Sequence, residues 1–103
     1  MSVSTTANGG TLPLTQHVLE EKSGASSPPA GAWTTWESQT PNTVTNTISK
    51  NQAGSSIPGG VGYHQFRGIA TNSAGSTTGA ASPEVRIVPL PNLIVSASPT
   101  SIY

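Results

Sequence analysis

Cysteine and aspartate are both absent from this 103-residue chain, and charge of either sign is scarce. Without cysteine there is no disulfide framework and no thiolate metal site. Without aspartate the usual Asp-based Mg²⁺ and Ca²⁺ loops cannot be built. The four acids are all glutamates (Glu20, Glu21, Glu37, Glu84), balanced by four cations (Lys22, Lys50, Arg67, Arg86), so the formal net charge is zero. Four scattered cations do not make the basic stripe that phosphate contacts require, so nucleic acid is not an expected partner. Long apolar runs are missing too. Stretches such as Leu93-Ile94-Val95 are far too short to cross a bilayer, and no membrane insertion is expected. Residues 1–20 carry no basic start followed by an apolar stretch, so no secretory signal peptide is expected. No Asn-x-Ser/Thr sequon occurs.

What is present is small and polar. Serine, threonine, glycine and proline make up 49 of the 103 residues, whereas Val, Ile, Leu and Phe together number 19. So low an apolar content signals disorder only when joined to high net charge, which is missing here. A short chain also buries a lower fraction of its surface. A thin core under a neutral surface favours a protein that finishes its burial against neighbours.

The pattern along the chain reads as β. Residues 1–11 are polar with a Gly9-Gly10 break and read as an arm. Residues 12–22 (LPLTQHVLEEK) fit either two or three helical turns or a strand through Thr15–Leu19. Residues 23–32 have the composition of a loop. From Trp33 the β-formers begin. Over 43–49 (TVTNTIS) Val44, Asn46 and Ile48 alternate with a Thr/Ser face. That face reads either as solvent surface or as an edge open to strand addition, with no charge between Glu37 and Lys50 to guard it. Residues 62–72 read as a strand, Asn72 to Gly75 as a turn, and 76–88 as the returning strand. Gly75 suits a positive-φ turn position. Pro89 and Pro91 then end the pairing, because neither can donate to a ladder. Residues 92–103 (NLIVSASPTSIY) begin another apolar alternation, either an arm that adds a strand elsewhere or the first strand of a further module.

Chemistry-bearing residues are few. His17 and Glu21 have a spacing that would share a metal on a helix, but only His64 offers itself as a third ligand. A solvated polar face is the simpler reading. His64, beside Tyr63 at the start of a strand, reads as a corner or rim residue. No Gly-x-Ser-x-Gly nucleophile motif occurs. Pro58-Gly59-Gly60-Val61-Gly62 lacks the lysine and the helix start of a phosphate loop and reads as a plain loop. Nothing in the sequence calls for an enzyme or a cofactor. Trp33 and Trp36, three apart on a strand, face opposite sides. One belongs to a core, and the other either docks a protein or sugar neighbour or is covered by the domain itself, with residues 23–32 over it.

The stretch 63–75 (YHQFRGIATNSAG) resembles the F strand and F–G turn of immunoglobulin-like and fibronectin type III domains, and the resemblance covers roughly 30 of the 103 residues. Tyr63, Phe66, Ala70, Asn72 and Gly75 carry it. Phe66, Gly68 and Ala70 point to one face and Arg67, Ile69 and Thr71 to the other. The family ties its corner with a tyrosine two residues before the position of Phe66. Here His64 holds that register and Tyr63 stands one residue earlier. Gly68 replaces the usual β-branched residue. The resemblance implies an all-β fold, an immunoglobulin-like antiparallel β-sandwich over residues 24–90. Residues 1–23 would be an N-terminal arm or first strands, and 91–103 a C-terminal arm or the start of a further strand.

The functional expectation is a non-enzymatic structural component of an assembled particle, a virion component in the style of bacteriophage capsid decoration or tail accessory proteins. Its partners would be protein subunits, copies of itself included, with weak glycan contact through Trp33 or Trp36. The alternative is an adhesion or carbohydrate-binding module of a multidomain bacterial protein, extracellular or at the cell surface, with Pro89-Leu90-Pro91 as linker.

Overall fold

The structure, a computed structural model, describes residues 1–88, the Ser55 side chain excepted. The expectations for 91–103 therefore lie outside the described residues. The described residues form seven strands: β1 Ser2–Asn8, β2 Leu14–Gly24, β3 Thr34–Gln39, β4 Thr45–Asn51, β5 Gly62–Asn72, β6 Gly75–Thr78 and β7 Val85–Ile87. A single 3-10 turn covers Gly54–Ser56, and no α-helix occurs among the described residues. The fold is all-β, as the composition and alternation indicate.

All strand pairs are antiparallel. β1 and β4 form a two-stranded sheet. The second sheet runs β3-β2-β5-β6, with β7 also pairing β5. The ambiguous 12–22 segment is strand because β2 is paired on both sides, by β3 and by β5. An intrinsic helical pattern of two or three turns cannot compete with two ladders of backbone hydrogen bonds.

The small sheet lies over the large one, β1 against β5 and β4 against β2. Between them sits one core of Val3, Leu19, Ile48, Ile57, Phe66 and Ile87, with Trp36 and Val85 packed against it. Residues 2–8 thus belong to the fold: Val3 and Ala7 alternate inward among Ser and Thr and are buried. Gly68 explains itself here. A Cβ at that position would collide with the Thr5 side chain, so glycine lets β1 settle onto β5.

The β5–β6 hairpin follows the sequence closely. Asn72 pairs with Gly75, the Asn72 side chain accepts the Ala74 N–H at 2.9 Å, and Gly75 sits at φ 138°. The return is shorter than its alternation suggests. It breaks after Thr78 and resumes only at Val85. In the gap Ser82 donates its N–H to the Phe66 carbonyl at 2.7 Å, and its hydroxyl accepts the Phe66 N–H at 3.0 Å. Val44, expected inward with Ile48, lies before β4 and is 37% exposed, whereas Ile48 is completely buried.

Candidate interaction surfaces

The two histidines occupy different places, and neither lies on a rim. His64 and Glu21 meet in the interior. His64 Nδ1 is 2.5 Å from Glu21 Oε2, and His64 Nε2 donates to the Gly60 carbonyl at 2.6 Å. His64 is 0% and Glu21 3% exposed. With Nε2–H committed to Gly60, the bond to Glu21 holds one shared proton, which keeps the buried pair neutral as a unit. The imidazole also lies 6.2 Å from the Phe66 ring, nearly parallel to it. Strand parity brings this about: Glu21 shares a face with Leu19, and His64 with Phe66. His17 and Glu21 share a parity but are four residues apart on a strand, roughly 13 Å. No group of three possible metal ligands converges among the described residues.

His17 is buried beneath β4. Asn46 donates to His17 Nδ1 at 2.9 Å and to Gln39 Oε1 at 2.9 Å, spending both amide hydrogens. His17 Nδ1 is therefore the acceptor, and the neutral ring carries its hydrogen on Nε2. That Nε2 is buried without a partner. Burial holds the His17 pKa below its ordinary value.

The tryptophans separate as strand geometry requires. Trp36 packs inward, 5.9 Å from Phe66, with Lys50 above it at 5.6 Å. Lys50 pairs with Glu37, and its hydrogen bond holds that carboxyl below the usual range. Trp33 is half-buried on the far side of the large sheet. The Arg67 guanidinium lies 4.2 Å and the Lys22 ammonium 5.2 Å from its ring. Arg67 also donates to Glu20 at 2.7 Å, and Arg86 lies 5.4 Å from the Tyr63 ring. Three of the four cations therefore stand over aromatic rings on this outer face, a feature invisible to a search for contiguous charge. Among the motif residues, Phe66 is in the core, Ala70 faces the layer gap, and Asn72 and Gly75 make the turn.

Two openings lie along β1 among the described residues. β6 and β7 extend beyond β5, and no described strand covers them. One cavity of about 680 Å³ lies at the Asn8–Gly10 end, between β1 and β6. A second of about 400 Å³ lies at the Met1–Ser4 end, between β1 and residues 82–85. Thr5, Gly68 and Ala80 line both, so the two lie end to end along β1 as a slot that narrows where Thr5 rests on Gly68. Val3, Leu19, Phe66 and Val85 make one half apolar, and His17 lies in the polar half.

Comparisons with protein-family models, with curated proteins and with solved structures returned no match.

Proposed function

We propose that this chain is a non-enzymatic structural component of an assembled particle, of the kind represented by capsid decoration or tail accessory proteins of bacteriophages. It docks through its ends and displays an immunoglobulin-like sandwich. Two features support the immunoglobulin-like reading. The order β3-β2-β5-β6/β7 facing β1-β4 corresponds to the C′-C-F-G and B-E strands of such domains. His64, at the register of the corner tyrosine, bonds back to the Gly60 carbonyl four residues upstream. The observation that carries the assembly reading is the edge of β1 that no described strand pairs with, beside the slot. A soluble domain with so thin a core gains by closing such an edge against a neighbour. The test is the light-scattering mass of the purified full-length chain across a concentration series. A defined or growing oligomer is expected, and a monomer at every concentration refutes the reading.

The Trp33 surface favours a second reading, a carbohydrate-binding or adhesion module. An aromatic ring flanked by cations is a platform for sugar stacking. Glycan-array binding that disappears in Trp33→Ala while the chain stays monomeric would select it.

A further inference from the structure

We infer that the slot beside β1 takes residues 92–97 (NLIVSA) of a second copy of this chain as an added antiparallel strand, an assignment that rests on the assembly reading above and joins copies head to tail.

The backbone of β1 shows that the slot can take a strand. The Met1 carbonyl accepts the Gln52 N–H, and the Gly9 N–H donates to the Val44 carbonyl. Odd-numbered residues of β1 therefore direct their backbone groups at β4. Ser2, Ser4, Thr6 and Asn8 direct theirs the opposite way, toward the slot. Among the described residues no strand pairs with that row. The slot has a strand's dimensions as well. The seven residues of β1 span about 23 Å, and six residues of added strand about 20 Å. Its floor and walls are two-sided in character, as a strand between two layers requires. Val3, Phe66 and Val85 offer apolar contact at one end. His17, with Nε2–H lacking an acceptor, waits at the other.

The occupant follows from the chain that continues past Val88. Fifteen residues, 89–103, lie there. Within them Leu93, Val95 and Ala97 share one face of an extended segment, opposite Asn92, Ile94 and Ser96, a face polar except at Ile94. Polar Asn92 leads the segment and suits the end where His17 lies. The described chain leaves β7 at the Met1 end of the fold, since Val85 lines the same cavity as Met1 and Ser2. Val88 and Leu90 each precede a proline, which disfavours the α conformation of a reversing turn. Four residues would span about 12 Å if extended, enough to carry the apolar alternation past its own layers. A copy placed in line presents the Gly9–Gly10 end of its slot there, and a strand entering at that end runs antiparallel to β1. The contact is heterologous, so repetition gives an open filament or, if the rotation closes, a ring.

The absence of native cysteine makes a trap specific. Full-length Ser4→Cys/Ser96→Cys protein, in which both cysteines lie on the outward face of the added pair, is prepared as an equal mixture of ¹⁴N and ¹⁵N chains, oxidised, digested and examined by mass spectrometry. The expected result is a disulfide between the peptide containing residue 4 and that containing residue 96, with about half the linked pairs isotopically mixed. In parallel, Leu93→Asp/Val95→Asp, outside the described fold, and Ser4→Pro, which deletes one slot-directed N–H but no bond to β4, are weighed by light scattering. Each should reduce the oligomer to monomer with folding retained by circular dichroism. If Ser4→Pro fails to fold, the tail variant decides. Linked pairs that are never isotopically mixed would mean the chain's own tail fills the slot, and the inference falls. Oligomers whose mass neither variant changes overturn the inference while leaving the assembly reading standing. A native chain that is monomeric throughout overturns both.

Discussion

Truncating His64 to alanine removes two buried hydrogen bonds at once and should be a severe single change. It removes the bond to the Gly60 carbonyl and the bond to Glu21 together, from a site where His64 is 0% and Glu21 3% exposed. The carboxyl left behind has no other hydrogen-bond partner among the described residues. Breaking a buried pair by removing one member costs about 3–5 kcal/mol, and the lost ring contact with Phe66 adds to it. Domains of this size have a total stability of about 5–15 kcal/mol. With an urea m-value of about 1.5 kcal/mol/M, the midpoint should fall by about 2–3 M. Glu21→Leu should cost a similar amount by stranding His64. The double variant Glu21→Leu/His64→Phe removes both buried polar groups and keeps their volume. Its cost should fall short of the sum of the separate changes by at least about 1 kcal/mol. Equilibrium urea unfolding followed by tryptophan fluorescence measures all of these. Strict additivity, or a cost below about 1 kcal/mol for His64→Ala, would refute the claim that the pair is a single buried unit.

Other consequences are open to the same unfolding assay. Gly68→Val should cost about 1–3 kcal/mol by forcing β1 off β5, and Thr5→Ala should recover part of it; no loss at all would show that β1 does not rest there. Trp36→Ala, which opens the core beside Phe66, should cost about 2–4 kcal/mol, whereas Trp33→Ala should cost about 1 kcal/mol or less. The reverse ranking would contradict the assignment of their faces. The third concerns pH. The folded His17 pKa lies below its unfolded value near 6.5, so as pH falls past that value the unfolded chain takes up the proton first. Stability from this group is complete above about pH 6.5 and declines below it, by at most about 1.4 kcal/mol per pH unit, until the lowered folded pKa is passed. His17→Leu should flatten that dependence, and equal slopes in the two proteins would contradict it.

The strands with clear two-residue alternation were the most legible: the long strand through Phe66 and the Asn72–Gly75 turn lie where the residues place them, and the Ile48 strand begins two residues later than its alternation suggests, leaving Val44 outside. β1 was not legible as a strand. Only Val3 and Ala7 mark its inner face, and a Ser/Thr-rich strand has the composition of a loop. The break at 79–84 was hidden because Val85 and Ile87 continue the alternation after it. Parity places His64 and Glu21 each on the apolar face of its strand, but not next to one another; that needs the register of β2 against β5. The grouping of Arg67 and Lys22 over Trp33 left no such trace, since the residues come from β2, β5 and the chain before β3.

The sequence by itself determined the class of structure. A short-range alternation of side chains, glycine where φ must be positive and proline where a ladder must stop are local properties, and they suffice for antiparallel β. Only the tertiary structure decided which polar residues are buried, where the two layers touch, and that no described strand pairs with the second edge of β1. Those features depend on which strands lie across from one another. Pairing over 40 or more residues of chain, as between His64 and Glu21, is set by the whole arrangement of layers and not by any segment within it.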